Sequence, residues 1–356
     1  MPKRSVSIAI GLVAAAAAAF LFWPSAIDPL AWEPGAARPL EGPMAPNDAL
    51  AATERLAVGR VQGPEDVAVD DQGRIYVGTA RGEIVRLPPS GAVDGLEVFA
   101  DTGGRPLGLH FDAAGSLVVA DAAVGLLSIA ADGTVSTLTD RADGLPFRFT
   151  DDLDIASDGR IYFTDASSRF DHHHYLHDLL EARPHGRLLR YDPATGNTET
   201  LLDGLYFANG VALSQDESFV LVNETYRYRI TRYWLTGPEA GTSDVFIDRL
   251  PGYPDGVSSN RRGTFWVALF TVCNPQADRL APRPFLKRQL AKLPKILWPK
   301  PEPYGLVIAL DEEGRVVRTL QDPGGRVVPQ VTSAEEVDGW LYLGNLDRSF
   351  VGRLRL

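Results

Sequence analysis

Six times along the chain, a polar stretch bearing an acid or a glycine is followed at once by a short run of β-branched and aromatic residues. The copies read DDQGRIYVG (Asp70 to Gly78), DAAGSLVVA (Asp112 to Ala120) and SDGRIYFTD (Ser157 to Asp165), then SQDESFVLV (Ser214 to Val222), NRRGTFWVA (Asn260 to Ala268) and VDGWLYLG (Val337 to Gly344). Each reads as a tight turn and the strand it delivers. The strand starts Ile75, Leu117, Ile161, Phe219, Phe265 and Leu341 lie 42, 44, 58, 46 and 76 residues apart. Further strand patterns follow the copies, such as Glu83 to Leu87, Gly125 to Ile129 and Leu306 to Leu310. A period of roughly 40–50 residues with four strands per unit is that of propeller blades. The expected fold is therefore all-β, a six-bladed β-propeller over residues 55–356. An irregular β-sandwich is the competing reading, and six copies at this spacing disfavour it.

Two intervals are too long for a blade, and both carry sequence unlike a strand. Residues 170–185 contain FDHHHYLHDLLEARPH, helix-capable from Tyr175 to Ala182. Residues 271–304 contain FLKRQLAKLPKILWPK, with Arg279, Arg283, Lys287, Arg288, Lys292, Lys295 and Lys300 interleaved with apolar side chains. A basic amphipathic segment either lies on an anionic membrane surface or packs as a lid with a solvated basic face; both readings stay open. Ahead of the repeats, Lys3 and Arg4 precede a run of uncharged, mostly apolar residues from Ser5 to Trp23. Such a run just spans a bilayer core, and the basic flank places the N-terminus inside. The first unit, residues 1–23, is thus expected to be an N-terminal transmembrane helix that anchors the propeller on the exported side (periplasmic or lumenal). A cleaved signal peptide, which would make the protein secreted, is the alternative. Residues 24–54, rich in Pro, Ala and Gly, are expected to form a linker or an arm over the folded domain.

The net charge of -11 argues against a nucleic-acid partner, and the single cysteine, Cys273, excludes an intramolecular disulfide. A propeller's funnel is lined by the loops that enter its innermost strands. Four of these entries bear oxygen ligands: Glu65 in GPEDVAV, Asp151 beside Asp152 in FTDDLDI, Asn209 in FANGVAL and Asp255 in YPDGVSS. Each precedes its turn-strand copy by about ten residues, so they occupy equivalent positions on different blades and converge on the axis. Carboxylates and an amide around one point suit a hard cation, best matched by Ca²⁺ or another divalent ion. Such an ion polarises a carbonyl and acidifies a bound water. Asp-Gly and Asn-Gly are also plain turn formers, which accounts for Asn209 and Asp255 singly but not for four residues in register. Blade two offers Leu107 or Gly108 at this place, and blade six no evident ligand. His172, His173, His174 and His177 are read as surface or lid, His110 as core, and no GxSxG elbow supports a serine nucleophile. Tyr206, Phe207, Tyr226, Tyr228 and Phe270 are candidates for an apolar pocket near the funnel.

These runs, together with GRLLRYDPATG, NETYRYRITRYW and the final LYLGNLDRSFVGRLRL, resemble the strictosidine synthase-like family, above all its animal membrane-anchored branch. That branch groups with gluconolactonases and paraoxonases. The resemblance spans about residues 55–356 and implies a calcium-dependent hydrolase of small-molecule esters or lactones. By the same resemblance the metal ligands are Glu65, Asp151, Asn209 and Asp255. Position 151 is usually Asn in that pattern. Asp151 here adds a charge that either tightens divalent binding or serves as a catalytic base, with Asp152 orienting it or the water. The family's other activity, condensation of an amine with an aldehyde, relies on a Glu just ahead of the last strand copy. The match falls on Thr332, with Glu335 and Glu336 displaced, so a condensing enzyme is the weakest reading. A non-catalytic propeller that uses its funnel to bind a ligand or partner remains the main alternative.

Overall fold

The computed structural model describes residues 11, 12, 15 and 18–356. Six four-stranded antiparallel sheets are arranged as the blades of a β-propeller. Blade one is Val67–Val69, Ile75–Gly78, Glu83–Leu87 and Glu97–Asp101, in that order from the axis outward. Blades two to five repeat it from Pro106, Thr150, Ala208 and Gly252. Blade six has Val331–Val337, Trp340–Asn345 and Val351–Arg355, and its fourth, outermost strand is Glu54–Leu56 from the other end of the chain. Arg55 pairs with Gly352 and Leu56 with Val351, which closes the ring and leaves no free edge between the first and last blades. The repeated copies are the second strands, and three of their turns share one device. Asp70 Oδ1 accepts the N–H groups of Gln72 and Arg74, and Asp112 and Asn260 do the same two and four residues on. Gly73, Gly115 and Gly263 take the positive φ that each turn requires.

The core is a set of apolar seams between adjacent blades. One joins Ala68, Tyr76 and Ile84 of blade one to Leu109, Leu117 and Leu127 of blade two. The seam around blades four and five is the largest and runs up into the aromatic cluster of Phe207, Tyr226, Tyr228 and Tyr253. Among the described residues no helix is long and apolar enough to cross a membrane. The anchor expected over 5–23 falls mostly outside the described residues. The segment after it is an extended arm. Its Leu30 N–H donates to the Glu181 carbonyl, Trp32 to Ala281 and Arg38 to Arg249, so it crosses both insertions before reaching blade five.

The innermost strands share an irregularity that no sequence pattern announces. Thr150 pairs with Asp165, but Leu153 pairs with Phe163, one residue out of step. The same single-residue shift separates Pro106 from Leu109, Ala208 from Val211, Pro254 from Val257 and Val331 from Ala334. A β-bulge of this kind re-aims the side chains it carries. In five blades it holds two consecutive residues, 107–108, 151–152, 209–210, 255–256 and 332–333, and Glu65–Asp66 stand at the same place just before Val67. Blade packing is tight here. A Cβ on Gly210 would lie 2.3 Å from the Val257 nitrogen, and one on Gly256 2.6 Å from the Thr332 oxygen.

Candidate functional site

The first residue of each bulge forms an upper ring around the axis: Glu65, Leu107, Asp151, Asn209, Asp255 and Thr332. All four side chains singled out as ligands are therefore brought together. Glu65, Asp151, Asn209 and Asp255 line the floor of one cavity of about 370 Å³. Thr332, the ring member from blade six, turns its hydroxyl away and donates to the Glu65 carbonyl at 2.6 Å. Where the second bulge residue bears a side chain, as Asp152 and Ser333 do and Asp66 does in blade one, it lines a narrow channel below, whereas Gly108, Gly210 and Gly256 bear none. Asp152 therefore does not line the large cavity but the narrow one beneath, with Asp66, Ser333 and Glu335. Its Oδ2 accepts the Val211 N–H at 2.9 Å, as Asp66 accepts that of Leu109 at 2.9 Å. Each of these acids ties its blade to the next blade's bulge, at the residue after Gly210 and Gly108.

The upper ring is electrostatically unbalanced. Burial, then the charges of Asp151 and Asp255, pushes the Glu65 carboxyl well above the usual range. Burial and Asp255 do the same to Asp151, against the partial relief of Arg105. Asp255 is raised to about 7 by burial, opposed by the Asn209 amide, which donates to Asp255 Oδ1 at 2.7 Å. Among the described residues neither the Glu65 nor the Asp151 carboxylate meets a hydrogen-bond donor of the protein. Burial and like charge favour protonation of such carboxylates or a cation between them. The donor set, three carboxylates and one amide, fits a hard divalent ion. Among the described residues no three His, Cys, Asp or Glu side chains form a ready ligand cluster.

Above this floor the walls are aromatic and aliphatic, with Phe149, Phe207, Tyr226, Tyr228, Tyr253 and Phe270 prominent. Tyr206, expected among them, faces away and lies under the Arg227 guanidinium, 3.5 Å from the ring centroid. The reason is local: Phe207 takes a positive φ of 58°, which breaks the alternation that would have set its neighbour's direction. Both insertions roof the cavity. The first supplies the helix Tyr175–Glu181, with Tyr175, Leu176 and Leu179 facing inward. Of the histidines, His172 lines the cavity beside Phe149, whereas His173 and His174 are exposed and His174 Nδ1 pairs with Asp171 at 2.7 Å. The second insertion supplies the helices Pro275–Leu280 and Pro284–Leu290. Asn274 caps the first by accepting from Gln276 and Ala277, with Pro275 at its first position. Cys273 lies against the Leu250 carbonyl, and burial pushes its thiol up to about 12, which disqualifies it as a nucleophile.

Phe149, Tyr253, Arg105 and Trp32 are site residues that escaped the sequence reading. Arg105 enters two residues before Leu107, and its guanidinium donates to the Gly63 carbonyl at 3.0 Å within the acidic floor. Trp32 reaches the cavity from the arm, a long-range approach that no local pattern marks. The roof also stores a strained acid. Asp178, fully buried in the first lid helix, accepts from Ser167 on one oxygen and leaves the other without a partner. Burial raises it to about 7, against Ser167, His185 and Arg169, with Glu181 adding to the rise. A raised carboxyl contributes its full stability below about pH 4 and loses it as pH rises through about 7. Asp178→Asn is expected to remove that loss, on the order of 2–4 kcal/mol. Melting temperatures from pH 4 to 8 check it: the wild-type decline over this interval becomes shallower in the variant.

Residues 151–238 match the family described as strictosidine synthase, and residues 42–87 the one described as strictosidine synthase-like, N-terminal. Among solved structures, a gluconolactonase from Xanthomonas campestris shares the fold with a TM-score of 0.61 at 18% identity, over 94% of this chain and 99% of that one. The adipocyte plasma membrane-associated protein of Rattus norvegicus is 36% identical over 99% of this chain and 98% of its own length. Protein STRICTOSIDINE SYNTHASE-LIKE 3 of Arabidopsis thaliana is 37% identical over 85% of this chain and 84% of its own. With similarity of this extent along nearly its whole propeller, the chain belongs to the strictosidine synthase-like family.

Proposed function

We propose that this protein is a divalent-cation-dependent hydrolase of esters or lactones, held at a membrane by its N-terminal apolar run with the propeller on the exported side. One observation carries the hydrolytic reading: Glu65, Asp151 and Asp255 are buried together at the cavity floor, two of them without a donor. Glu65, Asp151, Asn209 and Asp255 would hold a divalent ion such as calcium, which would supply Lewis acidity toward an ester carbonyl. Asp151 would act as the base that takes the proton of an attacking water, since burial and the Asp255 charge raise its affinity for one. Asp152 is a positioning residue. Its carboxylate fixes the bulge through the Leu153 and Val211 amides and so sets the direction of Asp151. The aromatic walls hold an apolar acyl or aryl group and keep bulk water from the floor. The likeness to a gluconolactonase is one of fold and adds nothing to the choice of substrate.

Condensation of an amine with an aldehyde finds less support. Thr332 brings no carboxylate to the ring, and Glu335 lines the narrow channel below it. A non-catalytic binding propeller is the second reading, favoured by the lack of a ready ligand cluster among the described residues. The deciding experiment is hydrolysis of a panel of aryl esters and lactones by the full chain in detergent. Turnover abolished by a chelator and restored by Ca²⁺ is the expected result. A panel without turnover, at a Ca²⁺ concentration that still raises the melting temperature, would assign the ion to structure and the funnel to binding.

A further inference from the structure

Between residues 279 and 300 the chain carries seven cations and no acid, in a protein of net charge -11. Once folded, this stretch has two unlike sides. Inward, Lys287 is buried with its ammonium on the Leu30 carbonyl, and Trp298 packs with Ile27 and Leu180. Lys287, Lys295 and Trp298 also wall the cavity. Outward, Phe285, Leu286, Ile296 and Leu297 are 60%, 44%, 70% and 60% exposed. Arg279, Arg283, Arg288 and Lys295 are exposed among them.

The N-terminal segment lies against the same side. Lys292 Nζ donates to the Phe20 and Leu21 carbonyls at 2.9 and 3.2 Å and sits 5.3 Å from the centre of the Phe20 ring. Arg288 pairs with Asp28 at 2.8 Å. Phe22 and Trp23, 88% and 70% exposed, extend the apolar surface. Among the described residues, every exposed Phe or Trp lies in these two segments.

We propose that this face docks on an anionic lipid bilayer, with Phe285, Leu286, Ile296 and Leu297 in the headgroup region. Apolar side chains ringed by Arg and Lys are the composition that such an interface binds. Charge complementarity selects it, since the rest of the protein is acidic and would be repelled. A second copy of this chain is disfavoured for the same reason, because a two-fold contact would set the cationic stretch against itself. Phe22 and Trp23 at the end of the apolar N-terminal run extend the patch, so a lipid surface that receives those side chains also meets the insertion. Because the insertion is a wall of the cavity, docking sets the cavity beside the lipid and admits lipophilic substrates from it. The docking stands on the exposed surface alone and does not depend on hydrolysis.

The test places an environment-sensitive dye on Ile296→Cys in full-length chain with Cys273→Ser. The chain is reconstituted into phosphatidylcholine vesicles with or without phosphatidylserine, some containing brominated lipid. The expected result is blue-shifted emission quenched by brominated lipid, several-fold stronger with phosphatidylserine and weakened by high salt. Arg279→Glu with Arg283→Glu should reduce the quenching while the chain remains in the vesicles. Equal quenching in both lipids, or none, overturns the proposal. So does a signal that follows protein density rather than lipid charge, which would assign the face to contacts between copies. A chain that fails to insert but floats with phosphatidylserine vesicles alone would reject the anchor and support the docking.

Discussion

Asp255→Ala is expected to lower ester or lactone turnover by on the order of 10²–10³-fold at saturating Ca²⁺, the scale of losing one main electrostatic contributor at a reacting centre. The fold should survive. Asp255 accepts one side-chain hydrogen bond, from Asn209. Its backbone carbonyl keeps the donor it has from Asn223 at 2.6 Å, so the strand is still held to its neighbour. Its charge also raises both Glu65 and Asp151. Removing it relieves the metal-free protein, whose melting temperature in chelator should be unchanged or higher. A merely structural Asp255 predicts the reverse pattern, a lower melting temperature with turnover per folded molecule intact. Asp255→Asn separates charge from hydrogen bonding, because it keeps an acceptor for Asn209 and still loses the ion. Turnover that survives both substitutions would remove this floor from consideration as the reacting centre.

The blades were legible because each announces itself locally. A turn built from Asp, Asn or Ser, mostly with a Gly, and a strand of β-branched and aromatic residues are short-range chemistry, and they recur. Five of the six second strands begin at the residue the pattern named, and the sixth begins at Trp340 rather than Leu341. The ligand candidates were legible by counting back from those strands, since equal offsets place residues at one height. The bulge lay beyond reach. A one-residue slip leaves no mark on composition, yet it decides that Asp151 faces the large cavity and Asp152 the channel below. The closing strand Glu54–Leu56 is three residues long, too short to carry a period, and straddles the boundary between the expected linker and propeller. Tyr206 was misassigned for a related reason: strand alternation held only up to the left-handed Phe207. The basic insertion reads from sequence as either lid or membrane surface. The fold shows why the choice was unresolvable there, because Lys287 and Phe285, two residues apart, face opposite ways.

Calcium should stabilise the protein steeply with rising pH, little at pH 5 and strongly at pH 8. The sign follows from the same three carboxyls. Each is raised in the folded state, with Asp255 at about 7, so the folded protein holds protons that the unfolded chain has released above about pH 4. Without an ion, their contribution to stability is fully present below about pH 4 and is lost as pH rises, that of Asp255 through about 7 and those of Glu65 and Asp151 above the usual carboxylate range. An ion binds only after those protons leave, so its affinity climbs over the same interval. At pH 8, with the ion at ~100 times its dissociation constant, the gain is about 3 kcal/mol. Thermal unfolding with Ca²⁺ and with chelator at pH 5, 6.5 and 8 measures it. The Ca²⁺ curve should rise away from the chelator curve as pH increases, and Asp255→Asn should bring the two together. A gain that is the same at every pH would mean that calcium binds elsewhere, at carboxylates already ionised at pH 5. The buried floor of the funnel would then have to be read as a protonated cluster, able to donate hydrogen bonds to a ligand but not to hold a cation.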